Sequence, residues 1–359
     1  MTAIELAWFG CDLRTGGIIE DLPSLKPQGP LSRKLGDSTT TQFELTLSGA
    51  AAAWDEATTP GSTVLVAVDT ATDTPVWAGA VLPREGGSAQ TVQLGAATLE
   101  SYLGARYPGT QTLLSTDQAS VMTALVTPAL TNGPPFIIDA VATGTVMDYL
   151  TDDGDDKTIL ACLNEIMGLD GGPEWTIDVA WNGSHSGFQF PLRVRRQIGT
   201  QAASPEAVFD YPGCVAEYTL SESYEQGKGA TRVIARGEGE GSSRLTSTVQ
   251  EATALIAGGW PAWEYRYTPA TGITDPDQLI AHASSSLALM AQGAQVWTVQ
   301  GVASKSPRVG TDFTLGDTVG ISVQKSPRHP GGATTVARCW AWELDAGADR
   351  VRPILVEES

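Results

Sequence analysis

Three histidines, four cysteines and 41 carboxylates are the side chains with which this sequence could do acid–base, nucleophilic or metal chemistry. His185 falls in a glycine-bounded loop, His282 inside a helical stretch, and His329 between Arg328 and Pro330. None has a second ligand at metal-binding spacing, and neither HExxH nor a Cys/His cluster occurs. Each reads as a solvated or packing histidine. Cys11, Cys162, Cys214 and Cys339 are far apart and form no CxxC pair, so buried free thiols are the simplest account. No GxSxG elbow supports hydrolase chemistry. With 41 acids some carboxylate pair always exists, but no spacing selects one for glycosidase work. No catalytic, cofactor-binding or metal-ligating residue is therefore nominated, and no enzyme activity is expected.

Four segments have more pointed alternatives. Asp152-Asp153-Gly154-Asp155-Asp156 invites a calcium reading, but counting from Asp152 or Asp153 puts Lys157 or Thr158 where an EF-hand needs glycine. The simpler reading is that these acids favour the positive end of the following helix; irregular calcium binding at 152–156 stays open. Gly237-Glu238-Gly239-Glu240-Gly241 is GxGxG rather than GxGxxG, and its glutamates would repel phosphate, so it reads as a turn. Arg193, Arg195 and Arg196 form the only dense basic cluster. If the hairpin before them closes symmetrically, Arg195 faces Glu174, and a cross-strand ion pair competes with a subunit-interface anchor as its explanation. Trp260, Trp263, Tyr265 and Tyr267 could stack on sugars or pack in a core or interface.

The elements that must position these groups are mostly strands. Residues 1–98 alternate strand and turn: Ile4 to Phe9, a Thr15-Gly16-Gly17 turn, Thr41 to Leu47 with Phe43, Leu45 and Leu47 on one face, then 63–68, 76–82 and 91–94. Short loops between sequential strands predict an antiparallel barrel or sandwich. From 99 to 205 the period changes. A short helix begins near Thr98, Thr116-Asp117 caps a second with Val121, Met122, Leu125 and Val126 inward, and Thr158 to Met167 forms a third. A hairpin over 175–194 then pairs Trp181 with Phe188, Val179 with Phe190 and Ile177 with Leu192 about the loop Asn182 to Gly187. Residues 206–359 predict a second β domain around a helix at 275–292, with Asp275 as N-cap, Pro276 at N1 and Gly293 beyond the end. The fold class is β-rich α+β: two antiparallel barrel-like domains with a small α/β middle. No internal repeat is visible.

The chain has 359 residues, of which 42% are hydrophobic and only 18% charged, with 39 glycines and 21 prolines. That suits a turn-rich globular protein with real cores. The net charge of −19 disfavours general nucleic-acid binding; it reads first as a solvated acidic surface that keeps the protein soluble, and alternatively as the lining of a channel past which DNA slides. No signal peptide is expected at Met1-Thr2-Ala3-Ile4, and no apolar run reaches membrane-span length.

Three strings together resemble the hub family of phage tails. Trp77 to Gly79, Thr91 to Leu94 and Ala97-Thr98-Leu99-Glu100-Ser101-Tyr102-Leu103-Gly104-Ala105-Arg106 follow one another as in minor tail proteins of actinobacterial phages. Gly171-Gly172-Pro173-Glu174-Trp175-Thr176-Ile177-Asp178 after a helix is similar to their helix-to-strand junction, and Phe313-Thr314-Leu315-Gly316-Asp317-Thr318-Val319 resembles a glycine–aspartate strand of hub barrels. The resemblance implies a homotrimeric ring at the virion tail tip, assembled in the host cytoplasm. It implies contacts with the distal tail or tail tube protein, the tape measure protein and fibre or tip proteins, and DNA met only in passage. The alternatives are a distal tail ring, and a carbohydrate-binding or glycan-degrading β protein.

Overall fold

The computed structural model describes residues 4–169, 171–237, 239, 241–269 and 275–356. The first stretch supplies β1 (Leu6–Asp12), β2 (Ile18–Asp21), β3 (Leu25–Pro27), β4 (Leu31–Lys34), β5 (Thr40–Thr46), the one-turn α1 (Trp54–Ala57), β6 (Thr63–Asp69), β7 (Thr74–Glu85) and β8 (Thr91–Thr98). Seven of these strands form one sheet in the order β2-β1-β6-β7-β8-β5-β3, with every pairing antiparallel. The sheet is an open half-barrel whose edges are β2 and β3. Its interior strand β6 is buried at all seven positions, as expected for a strand whose Val64–Val68 run is apolar throughout and covered on both faces. Phe43 and Leu45 point inward from β5, and Trp8 meets Phe43 edge-on at 5.2 Å.

The middle stretch adds α2 (Glu100–Leu103), β9 (Gln111–Asp117), α3 (Gln118–Leu130), β10 (Phe136–Ala140), β11 (Val146–Thr151), α4 (Ile159–Met167), β12 (Glu174–Ile177), β13 (Ala180–Trp181) and β14 (Phe188–Arg195). Asp117 caps α3 by accepting the Ala119 N–H at 2.9 Å, and Val121, Met122, Leu125 and Val126 are all buried beneath it. Strand β14 lies between β12, antiparallel, and β10, parallel. The parallel β10 and the antiparallel pairing of β9 with β11, across α3 and β10, were not expected from the sequence.

The expected register holds at both ends of the 175–194 hairpin: Ile177 faces Leu192, and Trp181 faces Phe188 with rings stacked at 4.2 Å. Between them the ladder breaks, so Val179 and Phe190 are not a strand pair as predicted. Asp178 donates its N–H to the Pro191 carbonyl at 2.8 Å, but Pro191 has no N–H to return.

The last stretch supplies β15 (Val208–Tyr211), β16 (Val215–Ser223), β17 (Arg232–Ala235), β18 (Gln250–Glu251), α5 (Thr253–Ala257), β19 (Glu264–Tyr267), α6 (Pro276–Met290), β20 (Ala294–Val302), β21 (Thr318–Val323), β22 (Ala333–Asp345) and β23 (Arg350–Val356). A second sheet runs β15-β21-β22-β23-β20-β16, and β4 from the first stretch pairs with β22, Arg33 opposite Trp342. Not all of it is antiparallel, since β15 runs parallel to β21.

The chain divides into two compact units: residues 1–167, 172–217 and 299–354, and residues 168–171, 218–298 and 355–359. In the first, one apolar core runs from Val64 and Val66 through Val121 and Leu163 to Trp175 and Phe190. In the second, α6 lays Leu279, Ala283 and Met290 on Val233 and Ala235 of β17. Its Asp275 accepts the Asp277 N–H at 2.9 Å, and Gly293 takes φ +77°, as a helix start and stop require.

Candidate functional site

Among the described residues, the functional candidates are the polar groups that join segments of the chain and those exposed to partners. Two buried arginines do the joining within the first unit. Arg33, on the same face of β4 as buried Leu31, donates to the Asp178 carboxylate at 2.9 Å, the Thr176 hydroxyl at 2.9 Å and the Ile177 carbonyl at 2.6 Å. Glu100 lies 3.8 Å from the same guanidinium and accepts the Ile177 N–H at 3.2 Å. Burial pushes the Glu100 carboxyl up, while Arg33 and the surrounding hydrogen bonds pull against it.

Arg338 on β22 grips Glu174 on β12 through both terminal nitrogens, one contact at 2.6 Å, and donates to the carbonyls of Gly316 at 2.9 Å and Ile198 at 2.8 Å. Gly316 takes φ +84°, and a β-carbon there would sit 2.3 Å from the Ile198 carbonyl oxygen, so only glycine fits. The adjoining Asp317 accepts the N–H groups of Thr200 at 2.6 Å and Thr314 at 2.7 Å. The glycine–aspartate string is thus a turn clamp. A third link runs from Arg308 to the buried Asp69 at 3.2 Å.

The three arginines singled out in the sequence are neighbours but not equals. Arg193 meets Asp178 at 3.1 Å, so that carboxylate bridges it to Arg33. Arg195 does face Glu174 in register, but the expected ion pair between them does not form. Arg195 turns to Asp139 on β10 at 2.7 Å, while Glu174 is held by the more deeply buried Arg338. A buried guanidinium demands a counter-charge more strongly than a half-exposed one. Arg196 is exposed and has no ion pair among the described residues. A cleft of about 470 Å³ beside them is lined by Asp139, Arg193, Arg195, Thr200 and Asp317.

The other sequence candidates separate. His185 stacks on Trp181 at 5.1 Å on the surface, and the backbone of His282 accepts from the Tyr267 hydroxyl at 2.9 Å. All four thiols are free and buried; burial, helped by Asp12 and Asp21, pushes Cys11 up to about 12. Among the described residues no three His, Cys, Asp or Glu side chains are grouped to hold a metal ion. In the acidic loop, Asp152 caps a short turn by accepting the Gly154 N–H at 2.9 Å, while the α4 start is capped by Thr158 through the Ala161 N–H at 3.2 Å. Glu238 and Glu240 lie outside the described residues. Tyr265 and Tyr267 stack at 5.3 Å against the second unit's core, whereas Trp260 and Trp263 are 40% and 52% exposed beside Tyr224. No helix among the described residues is long and apolar enough to cross a membrane.

No protein-family model matches the sequence, and no curated protein does. Solved structures do match its fold from end to end. The tail protein from Neisseria meningitidis MC58 is 12% identical with a TM-score of 0.59, over 100% of this chain and 93% of that one. The 43 kDa tail protein of prophage MuSo2 from Shewanella oneidensis is 9% identical with a TM-score of 0.57, over 99% and 98%. Prophage tail protein gp18 from Listeria monocytogenes EGD-e is 10% identical with a TM-score of 0.56, over 99% and 94%. At these identities the likeness is one of fold.

Proposed function

We propose that this chain is a structural component of a phage tail tip: a hub ring, homotrimeric, of the actinobacterial siphophage type. The reading is supported above all by a fold shared over the whole chain with three tail proteins, two of them from prophages, which are themselves matched over at least 93% of their length. The ring links the hexameric tail tube or distal tail ring to fibre or tip proteins, adjoins the tape measure protein, and surrounds the channel through which DNA passes. Two barrel-like β domains per subunit let three subunits present quasi-sixfold symmetry to a hexameric neighbour. The buried Arg33 and Arg338 networks suit this role, because they hold segments distant in sequence as one body under load. Arg193, Arg195 and Arg196 form the subunit-interface anchor, with Arg196 the one of the three that has no ion pair among the described residues. The chain has no catalytic activity in this reading.

Immunogold labelling of intact virions with an antibody to this chain tests it. Label at the tail tip is expected, and label on the capsid or along the tube contradicts it. One observation favours a second reading: the exposed Trp260 and Trp263 beside Tyr224 would suit a glycan-binding β protein. Glycan-array binding lost on substituting Trp263 would favour that reading.

A further inference from the structure

The first sheet is interrupted beside β1, and the interruption has the form of a vacant strand position. β2 pairs with β1 only at Phe9, Gly10 and Cys11. The chain then leaves that edge, its last tie being the Leu22 N–H to the Trp8 carbonyl at 2.8 Å, and re-enters the sheet at the far side as β3 beside β5. Between β1 and β3 lies a cleft of about 720 Å³ lined by Ile4, Leu6, Trp8 and Leu25. Its volume falls in the range of sites that bury peptide- or ligand-sized groups, roughly 300–1,000 Å³.

The backbone on both walls faces this slot. Thr70 donates to the Glu5 carbonyl at 3.0 Å, so the odd-numbered residues of β1 bond across to β6. The N–H and carbonyl of Leu6 therefore point the other way. On the opposite wall, Thr46 donates to the Ser24 carbonyl at 3.3 Å and Gln28 to the Gln42 carbonyl at 2.8 Å. That leaves the carbonyls of Leu25 and Pro27 facing the slot, with the Leu25 N–H already given to the Leu22 carbonyl at 3.1 Å. Pro27 and Pro23 offer no N–H on that side, so an incoming chain would ladder chiefly onto β1. The charged groups lining the slot are Glu5, Asp21 and Asp345 against one cation, Lys26.

We propose that this slot receives an extended strand from a different protein, carrying lysine or arginine at its ends and apolar side chains between. The open donor–acceptor edge over an apolar floor selects a strand, and the acidic rim selects the charge. A second copy of this chain, at −19, is the less favoured occupant. The proposal rests on backbone geometry and rim charge, so it stands or falls separately from the ring stoichiometry above.

The test uses the full chain and a fluorescent peptide of alternating valine and threonine with lysine at both ends. Anisotropy should show saturable binding, and amide exchange should slow at Leu6. N-methylating the peptide's β1-facing amides should weaken binding by about tenfold. Glutamate in place of the lysines, or Glu5→Lys with Asp21→Lys in the protein, should weaken it by about fivefold at low salt. Leu6→Pro should abolish it, and the charge variants keep the test valid if that substitution disturbs folding. No binding at about 1 mM peptide, or binding indifferent to N-methylation and to rim charge, overturns the proposal. So does self-association that slows exchange at Leu6, which would give the slot to a second copy.

Discussion

Arg338 and Glu174 stand 164 residues apart in sequence and close a two-pronged ion pair, with one contact at 2.6 Å, between β22 and β12. The arginine side chain is 2% exposed and the glutamate 12%. Removing one partner strands the other's charge where water hardly reaches. Arg338→Ala should therefore lose about 3–5 kcal/mol in urea unfolding, and Arg338→Met combined with Glu174→Leu should lose markedly less. Equal losses for the single and double variants would contradict a coupled pair.

Asp117 carries a pH dependence of definite sign. Burial works to raise its carboxyl, but the N–H groups of Thr143, Gly144 and Ala119 and the Thr143 hydroxyl together hold it below the usual carboxylate range. Its folded value lies under its unfolded one, so the stabilisation is complete above the unfolded value of about 3.9 and fades as pH falls through the folded value. Asp117→Ala should cost about 1 kcal/mol at pH 7. Asp117→Asn keeps a cap without the titration, so its gap from the wild-type protein should close in thermal melts on acidification. A gap independent of pH would argue against the carboxylate.

The thiols should be silent. All four are buried, and Cys11 is pushed up to about 12 by burial with Asp12 and Asp21 adding to it. At pH 8 its thiolate fraction is on the order of 10⁻⁴. Ellman's reagent should find almost no reactive thiol in the native protein and all four in guanidinium. A fast-reacting native thiol would contradict this.

Arg196 should matter to assembly and not to folding. It is exposed and without an ion pair among the described residues, so Arg196→Glu should shift stability by no more than about 0.5 kcal/mol. Oligomer formation should weaken by about tenfold, read as the protein concentration needed for half-association in mass photometry. An unchanged association curve would remove Arg196 from the interface.

What the sequence revealed, and what it concealed, follows from the range of each interaction. The α3 cap at Asp117 and the α6 cap at Asp275 were legible because the donor is two residues away. The hairpin register was legible because apolar residues alternate on both sides of its loop, and its break falls at Pro191, which has no N–H to give. The β9–β11 pair was not, because Leu114, Val146 and Leu150 point outward at 59%, 63% and 65% exposure and blur the alternation. The partner of Arg195 was missed because no strand was read at 136–140, where β10 pairs with β14 and brings Asp139 beside it. Nothing local announces that Arg33 reaches Asp178, 145 residues on, yet one signal existed: in Leu31-Ser32-Arg33 the arginine shares the face of a leucine. A charge on an apolar face implies a distant partner.

The central claim is that this chain works by assembling into a ring, and sedimentation velocity across ionic strength tests it most directly. At −19 per chain, closure of a threefold ring is opposed by a repulsion screened beyond about 10 Å at 0.1 M salt. The account predicts a monomer at low salt that shifts toward trimer as salt rises, and further when the adjoining tail protein is added. A monomer at every salt and protein concentration, with that partner present, would contradict it.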